Sequence, residues 1–107
     1  MDGDAPVTLS RLEKRFLERL KEAGLPPPIT NRHAGTKRVD CRWPEHRLTV
    51  ELDSYTFHNS RHSWEQDRLW EREARRRGDA FLRFTQADLN EPEPMLADIT
   101  RHTRGSR

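Results

Sequence analysis

The chain has 107 residues, enough for one domain and too few for two. Only 32% of residues are apolar and 36% are charged, but 20 basic against 18 acidic residues leave a net charge of +2, and the apolar residues come in patterned blocks, which argues for a small folded core over a disordered chain. Cys41 is the single cysteine, so an intrachain disulfide and a multi-cysteine zinc site are excluded. With no apolar run long enough for a membrane helix and no signal-peptide pattern, a cytoplasmic protein with no membrane partner is expected.

In chain order, residues 1–7 read as a flexible lead, residues 8–100 as the domain and residues 101–107 as a flexible tail. Ser10 and Glu13 have the spacing of a capping box. Leu12, Phe16, Leu17, Leu20 and Ala23 follow at helical intervals, and Gly24 ahead of the prolines at 26–28 supplies the stop. A short strand is expected near 29–33, with a turn at Gly35. The period then changes to two through KRVDCRW (37–43) and LTVELD (48–53), joined by PEHR. With PEHR as the loop, Trp43 pairs with Leu48 and Asp40 lies opposite Glu51. Val39, Cys41, Trp43, Leu48, Val50 and Leu52 then share a dry face. Arg38, Asp40, Arg42, Thr49, Glu51 and Asp53 share a wet one.

A second helix is expected over 60–77, capped by Ser60 and stopped by Gly78, with Trp64, Trp70 and Ala74 as a narrow apolar side. AFLRF (80–84) reads as a strand. Pro92 and Pro94 precede MLADITRH, a last weak helix. The order is α-β-β-β-α-β, an α/β fold with a weak C-terminal helix.

Three acids on one hairpin face need explaining, because like charges directly across strands destabilise a sheet. One account is an exposed ion-pair ladder with Arg38 and Arg42, worth little energy. The other is a Mg²⁺ or Mn²⁺ site, since hard divalent ions prefer oxygen ligands and keep waters for a phosphate substrate. Asp40, Glu51 and Asp53 would be its ligands. A metal so held lowers the pKa of its water, and nearby His58 could exchange a proton with the attacking water or leaving group.

Helix, three strands, helix, strand, with an acid on the second strand and Glu-x-acid on the third, resembles the PD-(D/E)XK nuclease superfamily, whose core is restriction-endonuclease-like. More closely, VDCRWPEHRLTVELDSYTFHNSRHSWEQDR, ARRRGDAFLRFT and SRLEKRFLERLKEAGLP are similar to a small bacterial domain grouped with very-short-patch-repair (Vsr) endonucleases, from about Ser10 to Leu89. The resemblance implies a Mg-dependent endonuclease acting on DNA, with Asp40, Glu51 and Asp53 at the metal and His58 as acid/base. It implies supporting roles for Glu13, Asp67 and Arg83. The Arg75-Arg76-Arg77 run is the candidate phosphate contact, against the plainer reading of a solvated helix end. Ser54, Trp70 and Ala74 depart from the family pattern. They keep a second expectation open, a catalytically inactive nucleic-acid-binding or interaction module of a defence, repair or toxin–antitoxin system, working with a partner protein or as a homodimer.

Overall fold

The computed structural model describes residues 8–32, 38–53 and 61–104; for Arg61–Trp64, Gln66 and Asp67 it describes the backbone alone. Helix α1 (Leu9–Glu22) precedes strands β1 (Ile29–Arg32), β2 (Arg38–Trp43) and β3 (Leu48–Asp53). Helix α2 (Arg61–Arg76), strand β4 (Ala80–Phe84) and helices α3 (Gln86–Asn90) and α4 (Pro92–Arg104) follow. The strands form one mixed sheet in the order β1-β2-β3-β4, antiparallel except for the parallel β3–β4 pair.

The central hairpin has the expected register, with Trp43 opposite Leu48 and Asp40 opposite Glu51. Its loop is a 3-10 turn, Pro44–His46, closed by Arg47 in the left-handed region at φ 52°. Its dry face also stands as expected. Val39, Cys41, Trp43, Leu48, Val50 and Leu52 join Phe84 from β4 in one buried cluster. Leu12, Phe16 and Leu20 of α1, Leu89 of α3, and Met95 and Ile99 of α4 cover it. Trp43 is anchored in this layer by its indole N–H, which donates to the Pro26 carbonyl at 2.8 Å, and by the Phe16 ring edge-on at 6.4 Å.

The other face is not wet. Every residue of β3 is buried, Glu51 and Asp53 completely. Helix α2 crosses this face: Arg77 reaches Thr49, Trp70 lies against Arg38, and Ala74 is sealed outside the main apolar cluster. The alternation reports that two faces differ in polarity. It does not report that a largely charged helix can cover the polar one.

Three terminal details differ from expectation. Thr8, not Ser10, caps α1, its hydroxyl accepting the Arg11 N–H at 3.2 Å; the earlier start lets Leu9 pack against the core. A short helix, α3, precedes the last one and is closed by a capping box in which the Asp88 carboxylate accepts the Thr85 N–H at 2.9 Å. Helix α4 opens at Pro92, because first-turn N–H groups have no intrahelical acceptor and prolines there cost little. It runs through Arg104 with Thr103 buried, so residues 101–104 belong to the fold and not to a tail. Gly24 and Gly78, both at positive φ, end α1 and α2 as expected. Among the described residues no helix is long and apolar enough to cross a membrane.

Candidate functional site

The hairpin register and the cover of α2 fix the acidic residues. Asp40 on β2 faces Glu51 on β3, and Arg38 faces Asp53 one pair further along. All four project from the same side of rigid strands, an origin that needs no loop ordering. Arg38 comes between the two β3 acids. Its Nε lies 3.2 Å from Glu51 Oε2 and 3.6 Å from Asp53 Oδ2, and its guanidinium carbon sits 4.9 Å from the centre of the Trp70 ring. The arginine side chain is 7% exposed and the two acids not at all.

This arrangement corrects the exposed ladder. Removing charges from water costs several kcal/mol per ion unless each is matched, and one guanidinium with two carboxylates, backed by the electron-rich face of an indole, meets part of that cost. Arg38 is thus the compensating cation the sequence calls for, held inside the fold instead of on its surface.

Metal binding fits this donor set in one respect and not in another. Among the described residues no group of three His, Cys, Asp or Glu side chains is disposed to hold a metal ion. The expected convergence of Asp40, Glu51 and Asp53 is therefore not the arrangement observed, and Arg38 lies within ion-pair distance of two of the three. The opposed Asp40–Glu51 pair still supplies two hard oxygen donors, the number a hydrated Mg²⁺ takes from a protein when waters and a substrate phosphate complete its shell. Asp40 is half-buried and borders a small cavity of about 80 Å³, with Thr49, Trp70, Glu73, Arg77 and Phe81 as its other walls.

The remaining expected residues disperse. Glu13 makes no capping box; its carboxylate accepts from Arg32 Nε at 3.0 Å, tying α1 to β1. Arg83 stands on β4 opposite Glu51 in the parallel register, with its residue exposed. The arginine run does not act as a unit. Arg75 is bound through two nitrogens to Glu71 within the helix at 3.0 and 2.7 Å, and Arg76 is exposed. Arg77 instead turns back onto the sheet, its N–H donating to Thr49 Oγ1 at 3.1 Å. His58 and the Asp67 side chain lie outside the described residues.

Asp79, Thr49 and Trp70 are the residues that sequence reasoning missed. Asp79, its side chain 4% exposed, accepts the Thr49 hydroxyl at 2.7 Å and lies 3.4 Å from Arg42 NH2 and 3.7 Å from Arg77 Nε. Only its position between the helix-ending Gly78 and a strand hinted at it.

Beneath the sheet, burial pushes the Cys41 thiol pKa far up, aided by the negative charges of Glu13 and Asp40. A thiol held neutral in this way is a core residue and not a nucleophile.

Comparison with protein-family models, with curated proteins and with solved structures returns no match.

Proposed function

We propose that this domain is a nuclease of the PD-(D/E)XK kind, cleaving phosphodiester bonds of DNA at the cleft between α2 and the β2–β3 hairpin. The observation that carries the reading is the register pair Asp40–Glu51: two carboxylates face one another from adjacent strands, on the side of the sheet that α2 covers and at a cavity open to Asp40. The succession of helix, antiparallel strands, helix and a strand returning parallel to β3 supports it.

In this reading Asp40 and Glu51 hold Mg²⁺ or Mn²⁺. The ion, when bound, supplies a water of lowered pKa and polarises a phosphoryl oxygen. The chain's own part is positional. Strand geometry places both carboxylates on one face, and Asp53 would keep Arg38 paired with Glu51 facing the ion. The packed Trp70 keeps the acids away from bulk water. His58 remains the proposed proton carrier.

Cleavage of labelled plasmid and short duplex DNA in Mg²⁺, set against EDTA, tests this. Activity should require the ion and fall at least a hundredfold in Glu51→Gln and Asp40→Asn. Hydrolysis that survives both substitutions would show that another site, or a contaminant, is responsible.

A second reading has its own observation. Arg38 already pairs with both Glu51 and Asp53 at 3.2 and 3.6 Å, which is what a domain without catalysis would need from a resident cation. Such a domain would bind nucleic acid or a partner protein and cut nothing. Calorimetric titration with Mg²⁺ separates the two. Saturable binding lost in Asp40→Asn supports the nuclease; DNA binding indifferent to EDTA, with no cleavage in any divalent ion, supports the module.

A further inference from the structure

We infer that Arg42 and Arg77 form a phosphate-binding site at the corner of the sheet where α2 ends, and that its ligand is the phosphodiester backbone of a nucleic acid. The inference deepens the nucleic-acid reading above and rests on it for the identity of the ligand, but not for the chemistry of the site.

Charge balance is the first argument. Two guanidinium groups from different elements, β2 and the turn after α2, converge on the single buried carboxylate of Asp79. Arg47, exposed at the head of β3, brings a third guanidinium to the same corner, its NH1 lying against Gly78. Among the described residues Asp79 is the one carboxylate within ion-pair distance of Arg42 and Arg77, so this pair exceeds it by one positive charge, while Asp40 lines the neighbouring cavity that Arg77 also borders. Glu73, a turn earlier on α2, is exposed and lines the far wall of the neighbouring cavity.

Unused donor capacity is the second. Each guanidinium carries five N–H donors in a planar fork. Among the described residues, Arg42 donates one hydrogen bond, to Asp79 at 3.4 Å, and Arg77 one, to Thr49 at 3.1 Å. The Arg42 bond is longer than the roughly 2.7–2.9 Å usual for a charged donor on a carboxylate, and the Arg77 bond goes to a neutral hydroxyl. The Arg42 Nε–H is enclosed and finds no acceptor among the described residues. The two side chains are 36% and 38% exposed, so their outer edges face solvent while their inner edges are held.

Preorganisation is the third. Thr49 donates to Asp79 at 2.7 Å and accepts from Arg77, which fixes the carboxylate and one guanidinium in a buried frame. Long cationic side chains fixed in this way lose little rotamer freedom when an anion arrives. Arginine held on a buried acid suits the bidentate recognition of a phosphate.

Position names the polymer. The Arg42–Thr49 pair is two residues along the hairpin from Asp40–Glu51, a step of about 7 Å on one face. A chain of phosphates crossing the corner therefore passes the acid pair, whereas a lone phosphate ion would have no reason to be placed there.

The test uses the whole chain and a fluorescent single-stranded oligonucleotide, with anisotropy read over a range of salt concentrations. Arg42→Gln and Arg77→Gln should each weaken binding about tenfold. Each should also flatten the plot of log affinity against log salt by about 0.7. Arg42→Lys and Arg77→Lys keep the charge but lose the fork; they should bind more weakly than the parent with the slope retained, which also controls for folding. Arg101→Gln, at an exposed position of α4 on the opposite side of the sheet, should change neither quantity. Unchanged affinity and slope in both glutamine variants would overturn the site even if the protein cleaves DNA. Failure of the parent chain to bind the oligonucleotide overturns it as well. Binding that depends on Arg42 and Arg77 without any cleavage leaves the site standing and removes the nuclease.

Discussion

Arg38 and Glu51 form a buried ion pair at 3.2 Å, with Asp53 sharing the same guanidinium. Such a group stabilises a fold mainly by not being broken. Removing one partner leaves a buried charge without compensation, at a cost of about 3–5 kcal/mol, whereas replacing the whole set with apolar groups is often neutral. Arg38→Met should therefore lower the unfolding free energy by that amount in urea titration. The triple variant Arg38→Met, Glu51→Met, Asp53→Leu should recover most of the loss. A triple variant no more stable than Arg38→Met would mean that the acids stabilise the fold through other contacts.

The first helix offers a direct comparison of two hydroxyls. Thr8 holds the Arg11 N–H at 3.2 Å, while Ser10 lies exposed within the first turn. Thr8→Ala should cost about 1 kcal/mol. Ser10→Ala should stay within about 0.5 kcal/mol of the parent. Thermal melts of the two variants at one pH check the ranking, and equal losses would return the cap to Ser10.

Trp43 joins the sheet to the segment after α1 through its indole N–H on the Pro26 carbonyl. Trp43→Phe preserves most of the apolar contact and deletes the donor. Because Pro26 is exposed, its carbonyl can turn to water, so the cost should be near 1 kcal/mol. Trp43→Ala, which empties the space beside Phe16, should cost about 3–5 kcal/mol. Denaturant midpoints for both variants give the separation.

Cys41 predicts an alkaline limit. Its pKa in the fold is raised above the ordinary thiol value of 9.0 by burial, with the negative charges of Glu13 and Asp40 adding to the effect. In the unfolded chain the thiol loses its proton near that value while the folded chain keeps it, so above about pH 9 the native state binds more protons and stability falls as pH rises. The contribution is fully present below that pH. Melting temperatures from pH 8 to 11 should decline more steeply for the parent than for Cys41→Ala. The native thiol should also resist alkylation until the protein is unfolded.

The hairpin could be read from the sequence because strand period and turn chemistry act locally. Val39 to Trp43 and Leu48 to Leu52 alternate cleanly, and PEHR leaves one short way to join them, so the Asp40–Glu51 pair follows. What covers the charged face could not be read. The Trp70 ring of α2 lies against Arg38, the partner of the buried Glu51 and Asp53, and Arg77 just past the helix reaches Thr49; polar cover of that kind carries no apolar periodicity. The site divides along the same line. Asp40, Glu51 and Asp53 lie on one face as expected, but the geometry of their charges is set by Arg38, which strand alternation marks only as a neighbour. Asp79 belongs to the fold through contacts distant in sequence with Thr49 and Arg42, so nothing near it announces its role.

The parallel pairing of β3 with β4 has a kinetic side. The β2–β3 hairpin closes over a four-residue loop, while Leu48 meets Ala80 only after the chain has traversed α2. Short closures precede long ones because they cost less chain entropy. Mutational φ-values should therefore be high at Val39 and Val50 and low at Leu82 and Ala74; the reverse order would refute this sequence of events. In that order of events Arg38 and its acids would find one another while still hydrated, and the helix would arrive over partners already joined, leaving no stage at which a solitary ion is dry.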